Sequence, residues 1–256
     1  MEQQQGKPIR YPKMHLSVFT LNHLSVRNPF IVMWWSAAIP GYGHMILGKY
    51  GQGFVLVVWE FFNNYNGKLN YAIYYSMIGD FTLAKQVLHQ SWIILYVAVY
   101  VFTLWDSYMK TLDMNKLAQL CGHQFDLQPP MVIKAHGINY LRVYKPWLAL
   151  LYSSFMPGLG HIYLQRLISG VFIIVFWVLT CYYSHFPEAV HMTMIGDFTG
   201  AKAVLNPEWL LFMPSLYVYG MYESYDSAKH FNHLYRMNQA EFLRKNYQHR
   251  EFRMPI

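Results

Sequence analysis

The hexamer Met77-Ile78-Gly79-Asp80-Phe81-Thr82 occurs again as Met194-Ile195-Gly196-Asp197-Phe198-Thr199, 117 residues later (194 − 77). The same offset lays Pro40-Gly41-Tyr42-Gly43-His44 on Pro157-Gly158-Leu159-Gly160-His161. It lays Gly53 on Gly170, Trp92 on Trp209, and Trp105-Asp106-Ser107-Tyr108 on Tyr222-Glu223-Ser224-Tyr225. No gap separates these anchors. A chain with this self-similarity is one unit written twice, so its fold must be one that half the chain can adopt and that can pack on its own copy.

Composition decides the kind of unit. Hydrophobic residues make up 54% of the chain and charged residues 13%, against about 25% charged in ordinary soluble chains. The charges are segregated: long spans hold almost none, while both tails and the central linker are rich in Lys and Arg. That distribution is a membrane protein's. The net charge of +7 reads as basic flanks that set orientation and touch anionic lipid head groups, not as a nucleic-acid footprint. Cys121 and Cys181 have no metal-like spacing and exclude a disulfide framework. The first 28 residues carry no apolar run long enough for a signal peptide, so targeting is expected to rely on the first hydrophobic segment.

The reading is an all-α polytopic membrane protein with two sequential copies of a three-segment repeat. Its expected parts are a basic arm with an interfacial segment (1–28), repeat 1 (29–108), a basic linker (109–145), repeat 2 (146–225) and a basic tail (226–256). Segment a, Pro29 to Leu47 and Pro146 to Leu164, starts on a helix-favouring proline and breaks at Pro40-Gly41 and Pro157-Gly158. Its first half, Phe30 to Ile39, would rise only about 15 Å, half the hydrocarbon thickness. Segment b, His44 to Tyr65 and His161 to Tyr182, is long enough to cross. Segment c, Ser91 to Tyr108 and Glu208 to Tyr225, is the clearest span, with Trp92, Trp105 and Trp209 as interfacial belts. The linker and tail are expected to begin by prolonging helix c, until Gly122 and Pro129-Pro130 end the extension in the linker.

Basic residues fall in the arm (Lys7, Arg10, Lys13, Arg27), the linker (Lys110, Lys116, Lys134, Arg142, Lys145) and the tail (Lys229, Arg236, Arg244, Lys245, Arg250, Arg253). The b–c connections hold only Lys68, Lys85 and Lys202. The positive-inside rule then puts arm, linker and tail in the cytoplasm, with b and c crossing as a hairpin and segment a re-entering. The copies are parallel in that reading. If a, b and c all span, the second copy is inverted, an arrangement of transporters with broken helices.

Between b and c the repeated hexamer reads as the turn of an αα-hairpin. Asp80 and Asp197 cap its second helix, and Gly79, Asp80, Phe81, Gly196, Asp197 and Phe198 form a candidate docking turn. Its Gly-Asp-Phe-x-x-Ala wording resembles the inner turn of a tetratricopeptide repeat, which implies an αα-hairpin and no more. Lys49 matches Arg166 and Asp106 matches Glu223, both keeping charge, so each copy is expected to tie the start of b to the end of c through this pair. His44 and His161 follow Gly-x-Gly at matching positions. Either they meet and form a proton or metal site, or each bonds backbone groups freed by the helix break. Glu60 is the one acid well inside a span: a functional carboxyl, one satisfied by Asn63 or Asn64, or one close enough to the outer interface to stay wet.

Pro-Gly-x-Gly-His, followed by Leu47-Gly48-Lys49 and Gly53, resembles the hairpins of small bacterial TM2-like membrane proteins. The second copy keeps Pro157, Gly158, Gly160, His161, Tyr163, Arg166 and Gly170, with Gln165 at the glycine position. The resemblance implies a duplicated multipass protein of the bacterial cytoplasmic membrane and supplies no activity. No nucleophile–His–acid set, phosphate loop, CxxC or HExxH is present. The expectation is a non-enzymatic protein without cofactor, a scaffold or partner-binding subunit of a membrane complex. The alternative is a small-solute or ion transporter that uses the broken helices.

Overall fold

A computed structural model describes residues 13–121 and 131–247, which leaves Gly122, Gln124 and Pro129-Pro130 outside the described residues. The protein is mostly helical, but its arm and linker are not. Met14–Leu16 (β1) pairs antiparallel with Leu21–His23 (β2), and Met131–Lys134 (β3) with Gly137–Tyr140 (β4), in two separate sheets. The interfacial segment expected in the arm is therefore a β-hairpin, as is the matching stretch of the linker, within a protein whose mostly helical make-up agrees with the all-α expectation. Met14 and Leu16 are buried around an exposed His15, the period-2 pattern of a strand rather than a helical face. The hairpins join where Asn139 Nδ2 donates to the Ser17 carbonyl at 2.7 Å, and the first hairpin also meets the second copy's helices where the Leu167 N–H donates to the Phe19 carbonyl at 2.9 Å.

Helices follow in the same order twice. Pro29–Ala38 (α1), Tyr42–Ile46 (α2) and Tyr50–Gly67 (α3) are answered by Pro146–Phe155 (α7), Leu159–Tyr163 (α8) and Leu167–Tyr183 (α9). The hairpin Leu69–Met77 (α4) and Phe81–Val87 (α5) is answered by Phe186–Met194 (α10) and Phe198–Val204 (α11). Left-handed backbone recurs at the same offset, at Gly41 and Gly158, Gly79 and Gly196, Lys68 and His185, Gly48 and Gln165. Gln165 thus takes the conformation that glycine takes in the first copy, with φ at 58°. These turns move the start of segment b. It begins at Tyr50 and Leu167, not at His44 and His161, which sit in the short helices α2 and α8.

Segment c differs between copies. The first is one helix, Gln90–Leu120 (α6); the second is split at Leu211 into Pro207–Leu210 (α12) and Phe212–Asn246 (α13). Among the described residues, α6 is the one helix long and apolar enough to cross a membrane. The pair α9 and α10, bent by 59°, would make a second if it formed one span. Of the four crossings expected from b and c, only the first c meets that measure by itself. The α3 helix carries Glu60, Asn63, Asn64 and Asn66, and α9 reaches only about 26 Å at 1.5 Å per residue.

An apolar core draws on both copies, and a second buried cluster lies under the β-hairpins around Leu141, Tyr144 and Phe231. Trp35 of α1 packs on Tyr219 and Tyr222 of α13, and Tyr42 stacks on Tyr219 at 3.9 Å. Phe54 stacks on Phe172, and Phe61 on Phe212. Contacts between elements gather at two ends. At one, Asn115 near the end of α6 clamps the backbone of Arg27 through both its N–H and C=O, while Asn232 of α13 clamps Tyr144 identically. At the other, Asn70 and Tyr71 at the start of α4 bond Glu208 and Asn206 at the start of α12.

Candidate functional site

The Pro-Gly-x-Gly-His motif is a folding device before it is a site. After α1 the chain turns at Gly41, with φ at 106°, and a Cβ there would lie 2.4 Å from the Gly53 carbonyl of α3. A Cβ on Gly43 would lie 2.5 Å from the Val32 carbonyl of α1 and 2.2 Å from Ser36 Oγ. Gly158 meets the Gly170 carbonyl at 2.6 Å, and Gly160 meets Ala149 and Ser153, in the same way. The first glycine lets the break lie on α3 or α9, and the second lets the short helix fold back on α1 or α7. Only a residue without a Cβ fits such backbone contacts.

The histidine that follows is thereby pressed against the end of segment c. His44 is fully buried, and its Nε2 lies 2.8 Å from Asp106 Oδ2. Asp106 also holds Lys110, one turn further along α6, and Lys110 donates to Gln52 at 3.0 Å. In the second copy His161 and Arg166 both hold Glu223, and Arg166 also donates to Ser227. Ser227 donates to Glu223 at 2.9 Å, and the second Arg166 amino group donates to Tyr50 Oη at 2.6 Å. Tyr50 belongs to the first copy, so this network ties the copies together.

Several expectations change. Arg166 meets Glu223, whereas Lys49 does not meet Asp106: Lys110 reaches that carboxylate within one helical turn, at the position that Ser227 fills in the second copy. Neither arrangement expected for the histidines is seen, since each ring bonds the acid at the end of its own segment c. No group of three or more His, Cys, Asp or Glu that could hold a metal occurs among the described residues.

Glu60 is buried and accepts from Asn64 Nδ2 at 3.3 Å and Tyr96 Oη at 3.4 Å. Asn64 in turn bonds Asn70, whose Nδ2 donates to the Glu208 carbonyl at 2.7 Å. Asp80 and Asp197 accept from the N–H of Leu83 and Gly200 as helix caps, and Gly79 and Gly196 carry the left-handed turn. Phe81 and Phe198 lie exposed beside those caps.

Sequence reasoning passed over Tyr50, Lys110, Ser227, Asn70 and Glu208. Lys110 was findable as the cation at i+4 from Asp106, while Tyr50 and Asn70 act across copies, where spacing along the chain says nothing. The match of Asn115 with Asn232 was visible, its backbone clamp was not. Compared with family models, curated proteins and solved structures, the chain matches none.

Proposed function

We propose that the chain is a non-enzymatic multipass membrane protein of two parallel copies, acting as a scaffold or partner-binding subunit. Its basic arm, linker and tail would face the cytoplasm and touch anionic head groups of a bacterial cytoplasmic membrane. The observation that carries this reading is the division of labour between polar and apolar side chains. His44, Asp106, His161, Arg166 and Glu223 are consumed in ties between helices. The repeated turns instead expose Met77 at 73%, Phe81 at 63%, Met194 at 82% and Phe198 at 62%, the kind of contiguous apolar surface that marks docking sites.

Membrane insertion is supported by α6. Only 11% of its apolar window is buried, whereas the core helix of a soluble protein is mostly buried; Ile94, Val97, Val101 and Phe102 all face outward. Parallel copies are supported by the two ends. Both c segments start beside the α4 and α12 contacts and finish at the asparagine clamps beside the β-hairpins. Affinity capture in mild detergent tests the reading. A stoichiometric membrane partner is expected with the wild-type chain and lost with Phe81→Ser/Phe198→Ser; capture of no partner by the wild-type chain overturns it.

One observation favours the transporter reading: the buried line from Tyr96 through Glu60, Asn64 and Asn70 to Glu208, which joins the copies by polar groups. Intramembrane acids in such lines carry protons or ions in transporters. Purified chain in liposomes should then dissipate an ion gradient, and Glu60→Gln should abolish the flux.

A further inference from the structure

A cavity of about 580 Å³ opens between the first β-hairpin, the start of α1 and the later half of α13, within the size range of small-ligand sites. Lys13, His23, Arg27, Lys229, His230 and His233 line it, and Asp226 is the one carboxylate among its walls. Asp226 is already engaged by Arg27 at 2.6 Å and His230 at 3.4 Å. Arg27 and Lys229 therefore face one occupied acid, and these walls carry excess positive charge. His23 Nε2 is buried without a hydrogen-bond partner among the described residues. Burial, and then the positive charge of Arg27, His230 and Arg166, hold that ring's pKa well below the ordinary histidine value. Ile31, Val32 and Ile46 add apolar side chains to the lining.

We propose that this cavity binds a phosphate-ester anion. Its occupant is the head group of an anionic phospholipid, with the phosphate among Arg27, Lys229 and the histidines and the glycerol end along the apolar side chains. The phospholipid source rests on the membrane reading above; the phosphate chemistry does not. Basic pockets beside spanning helices on the cytoplasmic side hold head groups in this way. The sequence alone could only assign lipid contact to basic flanks in general. The structure brings an arm cation and three tail side chains from the other copy to one concavity.

The full chain, released in neutral detergent, is titrated with phosphatidylglycerol, phosphatidylcholine or glycerol 3-phosphate, and bound molecules are counted by native mass spectrometry. A single phosphatidylglycerol should be retained in preference to phosphatidylcholine. Lys229→Gln should weaken it about fivefold, the change one cation makes at an anionic lipid surface, and adding His233→Gln should weaken it further. Lys229 and His233 are exposed, so both variants should keep the fold, and Lys202→Gln in the b–c connection should leave binding unchanged. Retention of glycerol 3-phosphate that is equally sensitive to Lys229→Gln supports the same site with a free phosphate ester as its source. Equal retention of both lipids without glycerol 3-phosphate binding, or insensitivity to Lys229→Gln, overturns the proposal. Alkaline carbonate extraction separates the two readings: a chain washed off membranes that still binds glycerol 3-phosphate refutes insertion and keeps the site.

Discussion

Two acids at matching positions do similar work in different surroundings. The Glu223 side chain is 3% exposed and that of Asp106 18%. Glu223 holds a buried arginine and a buried histidine, and its loss would strand Arg166 in a water-poor interior with only hydroxyls for partners. Removing one member of a buried ion pair costs about 3–5 kcal/mol, whereas a partly exposed pair contributes about 1 kcal/mol or less. Glu223→Gln should therefore destabilise far more than Asp106→Asn, as read from unfolding by sodium dodecyl sulfate in mixed micelles. Arg166→Met added to Glu223→Leu should recover much of the loss, because no uncompensated charge remains. Equal losses for Glu223→Gln and Asp106→Asn would show that burial does not separate the two sites. The charge-keeping exchange of Lys49 for Arg166 was legible in the sequence and pointed to a shared tie. It misled in the first copy because Lys110, one turn beyond Asp106, takes that carboxylate where the second copy has the uncharged Ser227.

At the scale of elements, the broken segment is where sequence and structure agree most closely. Proline followed by glycine marked the break in both copies. Gly53 and Gly170, matched at the same offset, receive the turn itself, since Gly41 and Gly158 lie against their carbonyls. The helix starts were misplaced because a left-handed residue at 48 and 165 divides an otherwise continuous apolar run, and Gln165 hides that turn from any glycine count. The β-hairpins were missed because strands of three and four residues are too short for alternation to stand out. Glycines of equal backbone conformation should thus differ in tolerance. Gly79 has a φ of 86° and open space around it, so Gly79→Ala should cost about 1–2 kcal/mol, the left-handed penalty alone. Gly41→Ala adds a clash with the Gly53 carbonyl at 2.4 Å that neither backbone can relieve locally. Its folded yield and unfolding midpoint should fall well below those of Gly79→Ala, and equal behaviour would deny that the turn must touch α3.

For the whole molecule the decisive question is how the two copies are oriented relative to each other, and composition could pose it but not answer it. Basic flanks argued for parallel copies, and broken helices allowed inverted ones. Neither signal carries the contacts between copies, which include Asn70, Tyr71, Asn206 and Glu208 at one end and Ser17, Asn139, Phe19 and Leu167 at the other. In parallel copies the two αα-hairpin turns emerge on the same side, and β3–β4 emerges on the opposite one. In inverted copies the turns emerge on opposite sides. Ile78, Ile195 and Lys134 are all exposed, so each can report its side as a single cysteine once Cys121 and Cys181 are replaced by alanine. A membrane-impermeant maleimide should label Ile78→Cys and Ile195→Cys in intact cells, and Lys134→Cys only after permeabilisation. Labelling of Ile78→Cys and Ile195→Cys from opposite faces would reverse the second copy and move the weight of the evidence to transport.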